Sequence, residues 1–180
     1  LIGETDDVYD ALSVFKPAFE SSMQRLWQAK LGFGSSLEGD AALIDQLFAL
    51  MAASRVDFPY FFRHLSSVKT NATHQDETLR DLFIDRSAFD AWLSDYKQRL
   101  TLENSDDAER KQAMDRVNPK YVLRNYLAQL AIDKAQNKDF SEVTILLDVL
   151  QKPYDEQPEH EKYAALPPDW AAGIEVSCSS

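Results

Sequence analysis

Cysteine is almost missing from this chain: Cys178 is the only one in 180 residues. A lone cysteine excludes an internal disulfide framework, cannot build a zinc site by itself, and suits a cytoplasmic chain. Glycine is scarce, with 5 residues. Together with long segments of helical periodicity, that argues against an all-β fold, which needs frequent tight turns. Basic residues are outnumbered, 19 against 30 acidic, for a net charge of −11 and a pI near 4.7. Such a surface repels phosphate backbones, so nucleic acid is not an expected partner. No polybasic run offers a site for anionic lipid, and no apolar run approaches the roughly 18–20 residues of a membrane span. The first residues, LIGETDDVYDAL, have neither the basic stretch nor the cleavage site of a signal peptide. His64, His74 and His160 are isolated and stand in no HExxH pattern, so no metal ligands are expected. The phosphate-binding and kinase motifs GxGxxG, GxxxxGK[ST], VAIK, HRD and DFG are all absent. Residue 1 is leucine, and we expect a piece of a longer protein.

Hydrophobic residues make up 44% of the chain and charged residues 27%, a globular balance. The pattern predicts an all-α fold, an irregular array of about seven or eight helices with an extended C-terminal tail. A first helix starts at Asp6 or Asp7, is kinked or restarted at Pro17, and stops at Gly32 and Gly34. Asp40 is expected to cap a broad apolar helix, and Asp57 to start the aromatic helix FPYFFRHLSSV. A short helix around Leu79 follows. Ser87 is expected to cap a helix whose outer face, including Asp90, Asp95, Lys97 and Arg99, is solvated charge. DDAERKQAMDRV, capped by Ser105, reads as a surface helix. The clearest helix is Asn118 to Lys134, with Asn118 as N-cap, Pro119 at the first helical position, and a stripe of Leu123, Tyr126, Leu127, Leu130 and Ala131. Asp139 and Glu142 have capping-box spacing ahead of a helix carrying Phe140, Val143, Leu146, Leu147 and Leu150, closed by Pro153. Residues 1–152 thus form a helical domain. Residues 153–180 form a proline-containing tail, pinned at Tyr154 and Trp170.

Candidate chemistry is thin. Asp40, Asp45, Asp85 and Asp90 could be paired on paper, but pairs arise by chance among 30 acidic residues. DAERKQAMD lacks the alternating oxygens and central glycine of a calcium loop. Arg124 and Asn125 admit two readings: they tie neighbouring helices together, or they face a nucleotide or a docking domain. Chemistry alone favours the first. Cys178, third from the end, is expected to be an accessible thiol, either incidental or redox-active toward a cysteine outside the chain. No catalytic residue, cofactor site or metal site is expected within the 180 residues.

The strings VNPKYVLRNYLAQLAIDKAQ and PPDWAAGIEVSCSS, with DFPYFFRHLSSV, LRDLFIDRSAFDAWLSDYKQRL and KLGF in order and spacing, resemble the C-terminal region of the selenoprotein O family. The resemblance covers essentially the whole chain. It implies that the full-length parent has a kinase-like fold and transfers AMP from ATP, with Mg²⁺ or Mn²⁺, to hydroxyl side chains of proteins. It implies an N-terminal kinase-like domain of the same chain and protein substrates as partners. Eukaryotic members carry selenocysteine third from the end, so Cys178 has the place of a bacterial cysteine form and of a redox handle. The family's nucleotide lysine, its glutamate partner and its metal-binding residues match nothing here. Lys120, Arg124 and Asn125 are then expected to brace the domain or its contact with the catalytic lobe. The alternative is a free-standing helical interaction module using the Phe58–Phe62 aromatic cluster or an exposed stripe to bind a partner.

Overall fold

The computed structural model describes residues 5–71, 77–171 and 173–174. Among the described residues eight α-helices run in chain order: α1 Thr5–Leu31, α2 Asp40–Ser54, α3 Phe58–Leu65, α4 Glu77–Arg80, α5 Arg86–Leu102, α6 Asp107–Asp115, α7 Asn125–Gln136 and α8 Ser141–Gln151. Two 3-10 turns follow, Pro158–Tyr163 and Asp169–Ala171. No strand occurs among the described residues, so the all-α expectation holds. Cys178 and His74 lie outside the described residues.

The helices bury two clusters. The larger spans α1 to α6 and is dominated by rings: Phe61, Phe62, Phe89, Trp92 and Tyr96 are almost fully buried, with Leu65 and Leu100 between them. Phe83 stacks on Phe89 at 4.3 Å and Trp92 on Tyr96 at 5.3 Å. Each such side chain contributes about 1.5–3 kcal/mol by leaving water. The polar tips are satisfied, as buried Trp and Tyr require: Trp92 Nε1 donates to the Leu43 carbonyl at 2.9 Å and the Tyr96 hydroxyl to that of Leu31 at 2.8 Å. The smaller cluster packs α7, α8 and the tail around Tyr121, Tyr126, Leu127, Leu146, Val149 and Tyr163.

Several local expectations are corrected. α1 runs through Pro17 as one helix, so it does not restart there. It ends where expected, because Gly32 takes φ +72° and its N–H and that of Phe33 return to the Ala29 and Gln28 carbonyls. Asp57 caps α3 by accepting from Tyr60 N–H at 2.9 Å, as expected. The other caps shift. Asp85, not Ser87, caps α5, and Asp106, not Ser105, caps α6; in each, a carboxylate accepts from a first-turn N–H. Asp40 is the first residue of α2, and its carboxylate is bound to Arg99. Arg99, assigned to a solvated face, is buried: its guanidinium lies over the Phe33 ring and bonds Asp40, Glu103 and the Ser35 carbonyl. Likewise α6 is not merely superficial, since Met114 and Arg110 are buried. Asp139 and Glu142 form no capping box, because Glu142 turns inward to Lys134 and Tyr163.

The largest correction concerns Asn118–Lys134. The helix begins at Asn125, and residues 118–124 lie outside any helix, with bends at Asn118 and Lys120. Pro119 does not nucleate it, because Asn118 is spent elsewhere. Leu123 and Leu130 of the expected stripe are exposed, as are Phe140 just before α8 and Val143 and Leu147 on it. The tail is not wholly irregular either. It is pinned by Tyr163, which is buried, while Tyr154 is exposed; Trp170 sets its edge against Tyr126 at 5.8 Å but stays largely open to solvent.

Candidate functional site

The two clusters meet at a polar seam, and the non-helical segment 118–124 is the strap across it. Such a stretch has no helical partners for its backbone, so its hydrogen bonds must come from elsewhere. The N–H groups of Lys120 and Tyr121 both donate to the Pro153 carbonyl, at 2.8 and 3.1 Å. Asn118, fully buried, donates from Nδ2 to the Lys30 carbonyl at 2.9 Å and accepts from Lys30 Nζ at 3.1 Å. That ammonium also lies over the rings of Phe58 and Phe62, and its burial pushes its pKa down.

Arg63 of α3 is the hub. Its guanidinium donates to the backbone carbonyls of Asp115 at 2.9 Å and Asn118 at 3.2 Å, and to Glu156 Oε1 at 2.7 Å. One side chain therefore ties α3, the end of α6, the strap and the tail. Asp115 in turn accepts from the Ser66 hydroxyl at 2.6 Å and from Lys111 at 2.5 Å. Lys120 Nζ reaches Glu156 and Glu161, both at 2.6 Å. Burial works against its charge, but the two carboxylates outweigh that and hold its pKa above the ordinary lysine value. Glu156, hydrogen-bonded to Lys120 and Arg63, is pushed down to about 2. The Tyr121 hydroxyl donates to the Gln157 carbonyl at 2.9 Å.

Arg124 forms the other end of the strap. It pairs with Asp57, its Nη2 lying 3.0 Å from Oδ1, so the residue that caps α3 also anchors the approach to α7. Asn125 is exposed and donates to the Ile174 carbonyl at 3.2 Å. All three expected bracing residues thus find partners inside this chain. Sequence reasoning missed Arg63, Glu156 and the bridging role of Asn118. Arg63 and Glu156 are 93 positions apart, and no local pattern links them. The one available signal was an arginine placed among the rings of FPYFFRHL.

A cleft of about 300 Å³ opens on this seam, lined by Tyr60, Arg63, His64, Lys111, Lys120 and Glu156 among others. Its three cations are each answered by a carboxylate. His64 is turned to its own helix, with Nδ1 2.8 Å from the Tyr60 carbonyl and its ring stacked on Tyr60. A triphosphate entering here would face Glu156 and Glu161 beside Lys120 and Asp115 beside Lys111, so these residues do not fit ATP. Among the described residues no cluster of three or more His, Cys, Asp or Glu side chains is arranged to hold a metal ion, and no helix is long and apolar enough to cross a membrane.

Comparison with known proteins places this architecture. The chain is 58% identical over its whole length to the protein nucleotidyltransferase YdiU of Herminiimonas arsenicoxydans, of which it covers 36%. It is 55% identical over 97% of its length to the protein of the same name from Burkholderia multivorans strain ATCC 17616 / 249, covering 34% of it. The chain therefore spans about a third of the length of these relatives, and the match falls in their C-terminal part. A sequence model described as protein adenylyltransferase SelO matches residues 1–151, most of the chain, which accordingly belongs to the SelO family.

Proposed function

We propose that this chain is the C-terminal helical bracing domain of a cytoplasmic protein adenylyltransferase. In the parent's reaction a protein hydroxyl attacks the α-phosphorus of ATP, its proton passes to a base, and pyrophosphate leaves. Mg²⁺ or Mn²⁺ would offset the charge that develops on the phosphates. Such transfer is catalysed by positioning and electrostatic stabilisation, and the groups for it are assigned to the part of the parent outside this chain. The observation that carries the reading is the commitment of Lys120, Arg124 and Arg63 to intrachain ion pairs. Cations already neutralised at a seam hold helices in a fixed arrangement; they do not present themselves to a nucleotide. The chain's own work is to keep α3, α6, the strap and the tail rigid. Its protein-level partners would be the kinase-like domain of the same parent and the parent's protein substrates.

The test is a calorimetric titration of the 180-residue chain with ATP and Mn²⁺, beside an adenylyl-transfer assay of the full-length parent. We expect no micromolar binding by the chain and transfer by the parent. Micromolar binding by the chain would overturn the assignment. The rival reading, a free-standing interaction module, is weakened by relatives about three times as long. We further assign Cys178 as a redox handle. A peroxide would take two electrons and two protons from Cys178 and a second thiol of the parent, leaving a disulfide. Non-reducing mass mapping of the parent should find that bond; a thiol that stays free under peroxide removes the assignment.

A further inference from the structure

The first helix carries a feature that bracing does not use. At about 100° per residue, Leu12, Phe15, Phe19 and Leu26 fall within about 60° of arc on α1. All four are more than half exposed. Phe15 and Phe19 stack on one another with ring centres 5.8 Å apart, and no ring of the core lies against either. The face of α1 that packs into the core is a different one. Leu31 is buried and Trp27 packs on Phe48, Phe58 and Phe62, about a quarter turn away from the stripe. α1 therefore has two apolar faces, and among the described residues only one is covered.

The open stripe presents roughly 400–500 Å² of contiguous apolar surface, a size at which exposed patches mark contact sites. Two copies of this chain meeting through it would bury about 900 Å² in all, below the roughly 1,200 Å² of a stable specific interface. They would also bring together two chains of net charge −11. A segment of the same polypeptide has neither handicap, because tethering supplies an effective concentration that a small contact can exploit. About two thirds of the length of the family relatives lies outside this chain. We propose that the α1 stripe of Leu12, Phe15, Phe19 and Leu26 is the docking face for that remaining part of the parent. The domain is thus held from two sides of one helix: Trp27 and Leu31 toward its own core, and the stripe toward the rest of the protein. The assignment rests on the reading that the chain is one domain of a longer protein, and does not depend on the parent's activity.

Hydroxyl-radical footprinting decides it, comparing oxidation at Phe15 and Phe19 in the 180-residue chain and in the full-length parent. We expect at least about a fivefold drop in oxidation in the parent, with the 180-residue chain monomeric by light scattering at about 100 µM. Equal oxidation in both overturns the proposal, and so does a chain that dimerises with both rings protected. A second variant set gives an independent reading. F15E with F19E should leave the thermal midpoint of the 180-residue chain within about 1 °C, since both rings face solvent there. In the parent the same pair should split one cooperative transition into two; an unsplit, unshifted transition overturns the docking face. Adenylyl transfer is assayed in parallel. Protection without transfer leaves the docking face standing and removes the proposed activity; transfer without protection does the reverse.

Discussion

Replacing Arg63 with methionine tests the seam most directly. The substitution keeps most of the aliphatic stem and its packing while deleting the guanidinium. Two backbone carbonyls, of Asp115 and Asn118, lose a donor, and Glu156 loses one of its two cationic partners. A buried acceptor left without its donor costs about 1–2 kcal/mol. The Glu156 contact adds less than about 1 kcal/mol, because that carboxylate is 61% exposed and screened. The sum is about 3 kcal/mol, a large part of the stability of a domain this size. Urea denaturation of the 180-residue chain should show that loss. Hydrogen exchange should place it: protection should fall most in residues 118–163, which hang on the strap, and least in α5, whose rings belong to the larger core. Combining R63M with E156Q should recover about 0.5–1 kcal/mol of coupling between the pair. A loss below about 0.5 kcal/mol, or protection lost evenly across α5 and α7, would refute the claim that Arg63 joins the two clusters.

Gly32→Ala should destabilise the chain by about 2–4 kcal/mol in a thermal melt. Its φ is +72°, and an added Cβ would sit 2.5 Å from Arg110 Cγ and 2.7 Å from Met114 Sδ. Glu156 gives a pH signature, since its pKa is depressed from 4.5 to about 2 by Lys120 and Arg63. Its stabilisation is complete above pH 4.5 and disappears as pH falls toward 2. The nominal ~3.4 kcal/mol shrinks to about 1 kcal/mol once solvent screening is allowed for. The stability of E156Q should therefore fall less than that of the parent chain over that interval, and parallel curves would contradict the pairing. Burial and the Glu142 carboxylate push the Tyr163 phenol up to about 12. Burial also raises the Tyr96 and Tyr121 phenols, so spectrophotometric titration of Y163F should lose one of several high-pH ionisations. Y163F should also cost about 1–2 kcal/mol, because the 2.7 Å hydroxyl contact to Glu142 is lost.

The legible parts of this fold were those decided by local chemistry. Gly32 ends α1 because only a residue without Cβ takes that φ beside Arg110. Asp57 caps α3 because its carboxylate lies three residues before a free N–H. Helix class followed from periodicity, and the rings of α3 and α5 were placed in the core as their spacing required. What escaped was set by partners distant in sequence. Arg99 looks solvated on its own helix, and only the fold brings Asp40, 59 positions away, against it. Of the expected face of α8 the hairpin with α7 buries Leu146, with Leu150 packed beside it, but it turns in Val149 in place of Phe140, Val143 and Leu147, which stay exposed. Of the candidate site, Lys120 and Arg124 stand out in the sequence and lie in the seam, whereas Arg63 and Glu156 do not stand out because nothing within a few residues of either depends on the other.

The same contrast explains why the string NPKYVLRN misled as a helix. Asn before Pro is a good helix start, and the local preference is real. Against it stand tertiary bonds that a helix from residue 119 could not make. The Asn118 side chain bridges to Lys30 in both directions, its carbonyl accepts from Arg63, and the N–H groups of Lys120 and Tyr121 converge on Pro153. Helix from Pro119 onward would turn Lys120 and Arg124 onto one face, being four residues apart. In the strap they reach instead to opposite ends of the seam, Glu156 in the tail and Asp57 at the start of α3. A cap of about 1 kcal/mol therefore gives way to a set of buried and charge-assisted bonds worth several times that. The segment's polar residues are specific in sequence because each is matched to one distant partner, a demand that a solvated helix face does not make.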